Sequence, residues 1–189
     1  MIKVFVLISF FSFSQSKNSF MPNLPVGEYR MIFDKTYACD PRKNNTIQFN
    51  IYFSKKTPSI TELKGNVSSL IDFDDTLIVD VNAASWGTTG GWKQNSMLYI
   101  SKKACSHFKN MFGNSWFPFI EGFNFPTDSC PLPAGTYSTT GIDLKLFEDH
   151  NLPKVYFYGK YKCVIKLKNV ENKVLGCHVM EITLVRPWE

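Results

Sequence analysis

The side chains best suited to chemistry in this chain are three histidines and five cysteines. The histidines are His107, His150 and His178. The sequence has no Gly-x-Ser-x-Gly elbow for an activated serine and no His-Glu-x-x-His motif for a catalytic metal. Cys105 and His107 are close in sequence, but residues two apart on a helix point in different directions, so they make no nucleophile–base pair. We therefore predict no catalytic residues and a protein that is not an enzyme.

Metal and cofactor sites have little support in the sequence. The cysteines show no Cys-x-x-Cys spacing, which argues against zinc. The acidic group Asp72, Asp74 and Asp75 lacks the twelve-residue ligand pattern of a calcium loop, and we interpret it as a solvated turn. The glycines between 87 and 91 have no following Gly-Lys-Ser/Thr, so they do not form a phosphate loop. We predict neither a metal nor a cofactor.

The N-terminus has the pattern of a secretory signal. Lys3 supplies a positive charge, the ten-residue run Val4–Phe13 is predominantly apolar, and Ser14–Ser16 offers small residues for cleavage. A membrane anchor is the alternative, but the apolar run falls short of the ~20 residues that span a bilayer. We predict a signal peptide over residues 1–16 and a single domain over residues 17–189 that is secreted, either extracellular or in a lysosomal or secretory lumen.

Cysteine number and glycosylation sequons agree with that route. In a secreted chain four of the five cysteines are expected to pair, and any four allow three pairings. Asn44 and Asn66 each begin an Asn-x-Ser/Thr sequon. The net charge is +5, or +4 without Lys3. This charge suits solubility and also contact with anionic lipids or membranes, whereas no basic cluster with interleaved aromatics indicates nucleic acid.

Alternating apolar and polar residues dominate the rest of the chain and predict antiparallel strands with one wet face. The clearest case places Tyr161, Cys163, Ile165 and Leu167 inward, with lysines between them. Similar alternation occurs at Tyr29–Phe33, Ile47–Phe53, Leu77–Ala83 and Ile142–Leu146, and turns that close hairpins are predicted at Asp40–Asn45, Gly87–Gly91 and Asn169–Asn172. The predicted fold is an all-β antiparallel sandwich or cup with an apolar cavity and one or two short helices at its rim.

One segment departs from this alternation. Ser101 is predicted to cap a helix that ends at Gly113, and an aromatic connection with two prolines follows it. A connection this apolar would expose a hydrophobic patch unless its side chains pack over the core or over a ligand. It therefore predicts a lid or rim around a ligand cavity. The candidate ligand-binding residues are Phe108, Met111, Phe112, Trp116, Phe117, Phe119, Ile120, Phe123 and Phe125. In the alternative, these side chains only cap the end of the sandwich core.

Two tryptophans, Trp86 and Trp92, flank the glycine-rich hairpin. Their amphipathic rings are candidates for a membrane interface or a cavity rim. The alternative is that each ring folds back on its sheet.

The C-terminal half resembles a known family. The run Cys130-Pro131-Leu132-Pro133-Ala134-Gly135-Thr136-Tyr137, then Gly159-Lys160-Tyr161 and Leu175-Gly176-Cys177, resembles GM2-activator-type lipid-transfer proteins. It resembles even more their secreted insect relatives in the MD-2-related lipid-recognition group, some of them implicated in chemosensation. The resemblance covers roughly Gly27 to Val185 and implies a β-cup around an apolar cavity.

The resemblance also implies two disulfides, Cys39–Cys177 and Cys105–Cys130. Cys163 is then left as a free thiol. Its position on the inward face of a strand predicts that this thiol is buried and inert. The alternative is a disulfide bridge to another molecule. GM2-activator proteins have further cysteines between the positions that resemble Cys105 and Cys130, and this chain has none there. The resemblance therefore implies neither their glycolipid-binding loop nor a ganglioside ligand.

These observations predict a secreted, non-catalytic and monomeric binding or carrier protein for a lipid or another apolar small molecule, with transient contact to a membrane surface or a receptor. The alternative function is a secreted β-sandwich that binds a protein partner and has no ligand cavity. A hydrolase that acts on lipid is the third and least favoured alternative.

Overall fold

A computed structural model describes residues 24–189, so the predicted signal peptide lies outside the described residues. The elements in chain order are β1 (Val26–Glu28), β2 (Arg30–Ala38), β3 (Ile47–Thr57), β4 (Ile60–Ser69), β5 (Ile78–Trp86), β6 (Trp92–Lys102), α1 (Ala104–Phe112), α2 (Trp116–Gly122), β7 (Gly135–Asp143), β8 (Val155–Phe157), β9 (Gly159–Lys168) and β10 (Val174–Val185). Short 3-10 turns cover Gly113–Ser115 and Leu144–Phe147. Neither α1 nor α2 has the length and apolarity that crossing a membrane requires.

Five antiparallel strands form the larger sheet, in the order β2–β10–β9–β5–β6. Val81 on β5 lies opposite Ile165 on β9, which in turn lies opposite His178 on β10. Directly opposite residues of antiparallel strands share a face, so these side chains line the inner side of the sheet. The lysines of β9 fall on the outer side, where Lys168 Nζ reaches Asp80 Oδ2 at 2.5 Å. The alternation predicted for β5 and β9 is confirmed.

The smaller sheet has the order β3–β4–β7, and a two-stranded ribbon pairs β1 with β8. Phe49 on β3 lies opposite Val67 on β4, which lies opposite Tyr137 on β7. These side chains face the larger sheet, and Ile47 of the same face packs in one cluster with Val79 of β5. The predicted antiparallel β-sandwich is therefore confirmed.

The two sheets are joined along one side by β2 and β3 and along the other by the helices. The chain leaves β6, the edge strand of the larger sheet, enters α1, and reaches α2, which packs against β7 of the smaller sheet. The side chains of the helices fill the space at this side of the sandwich, where Trp116, Ile120 and Phe123 are buried.

Three local predictions were wrong. The turn at Asp40–Asn45 closes no hairpin, because β2 and β3 belong to different sheets. The strand predicted over Ile142–Leu146 ends at Asp143, whose carboxylate accepts a hydrogen bond from the backbone N–H of Lys145 and starts a 3-10 turn. Ser101 caps no helix, since β6 extends to Lys102 and α1 begins after it. The hairpins at Gly87–Gly91 and Asn169–Asn172, and the helix end at Gly113, are confirmed.

Candidate functional site

The inner face of the larger sheet carries apolar side chains that the smaller sheet does not fully cover. Val81, Ile165 and Met180 lie on this face, yet each remains partly exposed. Cys163 is partly exposed too, although burial raises the pKa of its thiol to about 11. A side chain that is surrounded by protein and still touches open space borders a gap, because closely packed sheets would leave no such surface. The interior is thus looser here than around Val79.

A cavity of about 300 Å³ lies at the end of the sandwich where β2 begins. Its apolar lining comes from Met31 and Phe33 on β2 and from Phe147 in the 3-10 turn after β7. Phe33 and Phe147 also pack in the core cluster of the smaller sheet, with ring centroids 6.5 Å apart. Part of the lining of this cavity therefore consists of side chains that also belong to the apolar interior.

Polar side chains surround the outer part of this cavity. Its lining also includes Tyr29, Arg30, Glu148, His150, Lys154 and Pro187. The Lys154 ammonium donates a hydrogen bond to the backbone oxygen of His150 at 3.1 Å, and the Tyr29 hydroxyl donates one to the backbone oxygen of Pro153 at 2.8 Å. Burial, and secondly the charge of Lys154, lower the pKa of His150, which favours a neutral ring at pH 7. Arg30 and Lys154 supply positive charge at this opening, and Glu148 supplies negative charge.

A second cavity, of about 420 Å³, lies at the same end of the sandwich beside the β5–β6 hairpin. It is lined by Ser85, Lys93, Asn95, Ser96, Tyr156, Phe157 and Tyr161. The Ser85 and Ser96 hydroxyl oxygens lie 2.7 Å apart and share a hydrogen bond, and Tyr161 donates one to the backbone oxygen of Phe157 at 2.9 Å. This opening has polar walls on the hairpin side and aromatic walls on the opposite side.

The β1–β8 ribbon separates the two openings. Glu28 pairs with Val155 at the ribbon end next to the first cavity, and Val26 pairs with Phe157 at the end next to the second. The ring of Tyr156 points inward from the ribbon and lies 5.7 Å from that of Tyr161. A ribbon of three residue pairs thus covers this end of the sandwich between the two openings.

A comparison with protein-family models matches residues 28–184 to the ML domain. The chain belongs to the ML-domain family. This is the MD-2-related lipid-recognition family, so the resemblance noted from the sequence is confirmed at that level. Among proteins with curated descriptions, none matches this chain.

Family membership establishes a lipid-binding fold of a kind that recognises lipids rather than transforming them. The insect branch of the family stays a prediction. The two disulfides implied by the resemblance, Cys39–Cys177 and Cys105–Cys130, are both present in this ML domain. Cys163 is free and lies on the inner face, as its strand position predicted.

The nine predicted ligand-binding residues of this ML domain cluster around its helices. Trp116 and Ile120 pack with Cys105 and Leu132, and Phe123 packs with the core of the smaller sheet. Phe108, Phe112, Phe119 and Phe125 are partly buried and pack against these clusters, Met111 is partly exposed, and Phe117 is largely exposed. None of the nine lines either of the two cavities described above. Their ligand-binding role stays a prediction, since core packing accounts for the contacts seen here.

The two tryptophans lie on the outer side of the β5–β6 hairpin. Trp86 pairs with Trp92, and their rings meet edge to face at 5.2 Å. The ammonium of Lys162 sits 4.3 Å from the centre of the Trp92 ring. Trp86 is 51% exposed and Trp92 is partly exposed, and their role at a membrane interface or a cavity rim stays a prediction.

The structure also reveals a buried histidine to which the sequence assigned no role. His178 lies on the inner face of β10, with its Nε2 2.5 Å from the Thr36 hydroxyl and its ring 5.4 Å from that of Phe49. Its Nδ1 has no hydrogen-bond partner among the described residues. Burial lowers the pKa of His178 to about 4, so the ring is neutral at pH 7. The inward direction of the His178 side chain could be inferred from its position in the strand, but its burial depends on the facing sheet.

The acidic residues 72–75 have local structural roles. Asp75 accepts hydrogen bonds from the backbone and hydroxyl of Ser106 in the first turn of α1, and Asp72 accepts one from the backbone of Ala134. Within residues 24–189, no group of three or more His, Cys, Asp or Glu side chains is placed to hold a metal ion. The chemistry that the described site offers is apolar burial with a charged rim.

Proposed function

We propose that this ML domain is a secreted, non-catalytic carrier that holds a lipid or another apolar small molecule between its two sheets. The observation that carries the proposal is the cavity lined by Met31, Phe33 and Phe147, in which Phe33 and Phe147 also pack in the apolar core. Its volume of about 300 Å³ lies at the lower end of the range for small-molecule sites. Membership of a lipid-recognition family supports the same conclusion.

Binding would occur through burial of an acyl or similar chain. Each buried CH₂ group contributes about 0.8 kcal/mol, so a few methylenes suffice for measurable affinity. Arg30 and Lys154 at the opening would meet an acidic head group, because charge-assisted hydrogen bonds favour anionic oxygen. The partly exposed inner side chains Val81, Cys163 and Ile165 mark the direction in which the chain of the ligand would extend.

Secretion is supported by the two disulfides, which persist in oxidising compartments. The sequon residues agree with this, since Asn44 is exposed and Asn66 lies on the outer face of β4. We propose the extracellular space or a lysosomal or secretory lumen as the location. A chemosensory role would follow from membership of the insect branch.

A pair of substitutions on neighbouring residues of β2 tests the carrier function. Met31→Trp fills the cavity and should lower the uptake of a fluorescent fatty acid by roughly tenfold or more, because it removes the volume that the chain enters. Ile32→Trp is the matched control, because Ile32 lies on the outer face of the same strand and should leave uptake unchanged. Equal uptake by both variants and the unmodified protein, with all three folded by circular dichroism, would contradict the proposal.

The nine aromatic and apolar residues between Phe108 and Phe125 remain a proposed lid. Movement of α1 and α2 would be required to open a path beside them, since Trp116 and Phe123 are buried in the closed form. The Cys105–Cys130 bridge would hold one side of such a lid while the segment between the two cysteines moves.

A second candidate function, a protein-interaction module, is favoured by one observation. Leu98 and Ile100 on the outer side of edge strand β6 are 66% and 68% exposed. An exposed apolar edge strand is a ready surface for pairing with an extended segment of a receptor. A protein that carries no co-purified lipid in native mass spectrometry and takes up no fatty acid would favour this function over the carrier.

A further inference from the structure

A strip of loosely covered side chains runs along the inner face of the larger sheet, away from the first cavity. Phe33, which lines that cavity, lies opposite Ile182 on β10. Two residues back along β10, Met180 lies on the same face and is partly exposed. The next inward position of β10 is His178, which lies opposite the partly exposed Ile165 of β9. The strip therefore leads from the first cavity to the ring of a histidine.

One nitrogen of the His178 ring has no partner in the closed sandwich. Its Nε2 lies 2.5 Å from the Thr36 hydroxyl oxygen, whereas Nδ1 meets no donor or acceptor within residues 24–189. The residue is only 4% exposed, so solvent does not reach Nδ1 either. Buried polar atoms are nearly always paired, and an unpaired one lowers stability. A nitrogen kept inside at this cost indicates a polar group on the molecule that the domain carries.

The surroundings of His178 favour a hydroxyl as that polar group. The ring is neutral at pH 7, because burial lowers its pKa to about 4, and a neutral imidazole has one donor nitrogen and one acceptor nitrogen. A hydroxyl both donates and accepts, so it pairs with Nδ1 in either tautomer, whereas a carboxylate or a ketone only accepts. The facing Phe49 ring, 5.4 Å away, offers no charge to a carboxylate buried beside it.

We propose that His178 binds a hydroxyl group on the buried end of the ligand, so that this ML domain selects apolar molecules hydroxylated far from their head group. The inference rests on the proposed carrier function and names its class of ligand. Arg30 at the cavity opening pairs with Val185, seven residues along β10 from His178, which is about 23 Å of strand. A long chain anchored at Arg30 is needed to reach this depth, and the partly exposed Phe49 ring must turn aside to admit its end.

Fatty acids that differ by one hydroxyl test this selection. Hexadecanoic acid, its ω-hydroxy derivative and its 2-hydroxy derivative are compared on the full chain by displacement of a fluorescent fatty acid. The unmodified protein should bind the ω-hydroxy acid at least as tightly as hexadecanoic acid. His178→Leu removes the partner of the buried hydroxyl and should weaken binding of the ω-hydroxy acid by about tenfold or more relative to hexadecanoic acid. The 2-hydroxy acid keeps its hydroxyl at the opening and should follow hexadecanoic acid in both proteins.

The matched control variant is Met180→Leu. Met180 lies on the same inner face of β10, two residues nearer the opening, and its thioether is only a weak acceptor. This variant should change the binding of hexadecanoic acid and of the ω-hydroxy acid by the same factor. Nitrogen NMR of the unmodified protein gives a second readout that does not depend on a variant folding. The Nδ1 signal of His178 should shift with the ω-hydroxy acid and not with hexadecanoic acid.

The failure of this selection differs from the failure of the carrier function. The selection is overturned if His178→Leu weakens both acids equally, or if the Nδ1 signal responds alike to both. It is also overturned if the unmodified protein binds hexadecanoic acid but binds the ω-hydroxy acid about tenfold more weakly, as expected for a hydroxyl buried without a partner. An unmodified protein that binds none of the three acids would overturn the carrier function itself, and the selection with it.

Discussion

At the scale of single residues, His178 is the titratable group most dependent on the closed sandwich. It is 4% exposed, and its neighbours Thr36 and Phe49 carry no charge that would stabilise an imidazolium. Its pKa of about 4 lies below its ordinary value of 6.5 because burial disfavours the charged ring. The folded protein therefore binds fewer protons than the unfolded chain between these two pH values.

This difference predicts an acid-sensitive fold. The contribution of His178 to stability is complete above about pH 6.5, and the free energy of unfolding should fall by about 3 kcal/mol as the pH drops from 6.5 to 4. Urea denaturation at several pH values measures the slope. His178→Gln keeps a neutral side chain at every pH and should flatten the profile in this window. An unchanged slope in that variant would show that other groups cause the loss.

The direction of a side chain was predictable where the alternation of a single strand determines it. The lining of a cavity was not predictable, because it forms where segments distant in the sequence meet. The inward direction of Cys163 followed from its parity with Tyr161 and Ile165, whereas its partial exposure depends on how closely the facing sheet covers it. The first cavity combines Met31 with Phe147 and Lys154, which are more than 110 positions away in the sequence. No local pattern contains that combination, so the sequence pointed instead to the most aromatic local segment.

At the scale of elements, α2 packs unusually close to its neighbouring strand. A methyl group added at Gly122 would overlap the Cγ1 and Cδ1 atoms of Ile142 on β7. Ile142 is itself buried in the core of the smaller sheet and has little room to move. The glycine therefore sets the distance between the helix and the sheet.

This contact predicts a rescue between two positions. Gly122→Ala should lower the free energy of unfolding by about 1–3 kcal/mol through overpacking, as measured by urea denaturation. Ile142→Ala alone should cost about 2–5 kcal/mol for the lost side-chain atoms and the cavity they leave. The double variant should cost less than the two single variants together, because Ile142→Ala removes both of the carbon atoms that the new methyl would overlap. If the losses in free energy of unfolding are strictly additive, the added methyl at position 122 does not contact Ile142.

Elements were predictable where alternation was long and uninterrupted, as in β3 and β9. The strand predicted through Leu146 failed because the Asp143 side chain competes for the backbone N–H of Lys145, a local bond that turns the chain. The helix start failed for a related reason. The strand pairing of Ser101 with Val79 outweighs its capping tendency, so the helix begins only after Lys103 takes a left-handed conformation.

At the scale of the whole molecule, the Cys39–Cys177 bridge joins residues 138 positions apart. Loop-closure entropy makes such a link worth about 5 kcal/mol, because it restricts nearly the whole unfolded chain. Cys39→Ala/Cys177→Ala should therefore lower the free energy of unfolding by roughly this amount in non-reducing urea denaturation. Cys163→Ala is the control, since it removes a sulfur that closes no loop. Equal losses in the two variants would contradict the entropic origin.

The strand order could not be read from the sequence, since alternation tells which side of a strand is wet but not which strand lies beside it. The pairing of β2 with β10, and the crossing from β2 to β3 between sheets, both depend on contacts between distant segments. The family resemblance supplied the two bridges that alternation could not.

The lysines on the outer side of β9 affect how copies of the molecule meet in concentrated fluid. Lys160, Lys162, Lys166 and Lys168 share that side with two carboxylates, Glu181 and Asp80. Two copies that approach through these sides repel each other, and dissolved ions weaken the repulsion. Crowding therefore steers encounters toward other parts of the surface, so that this face of the sheet stays in contact with solvent.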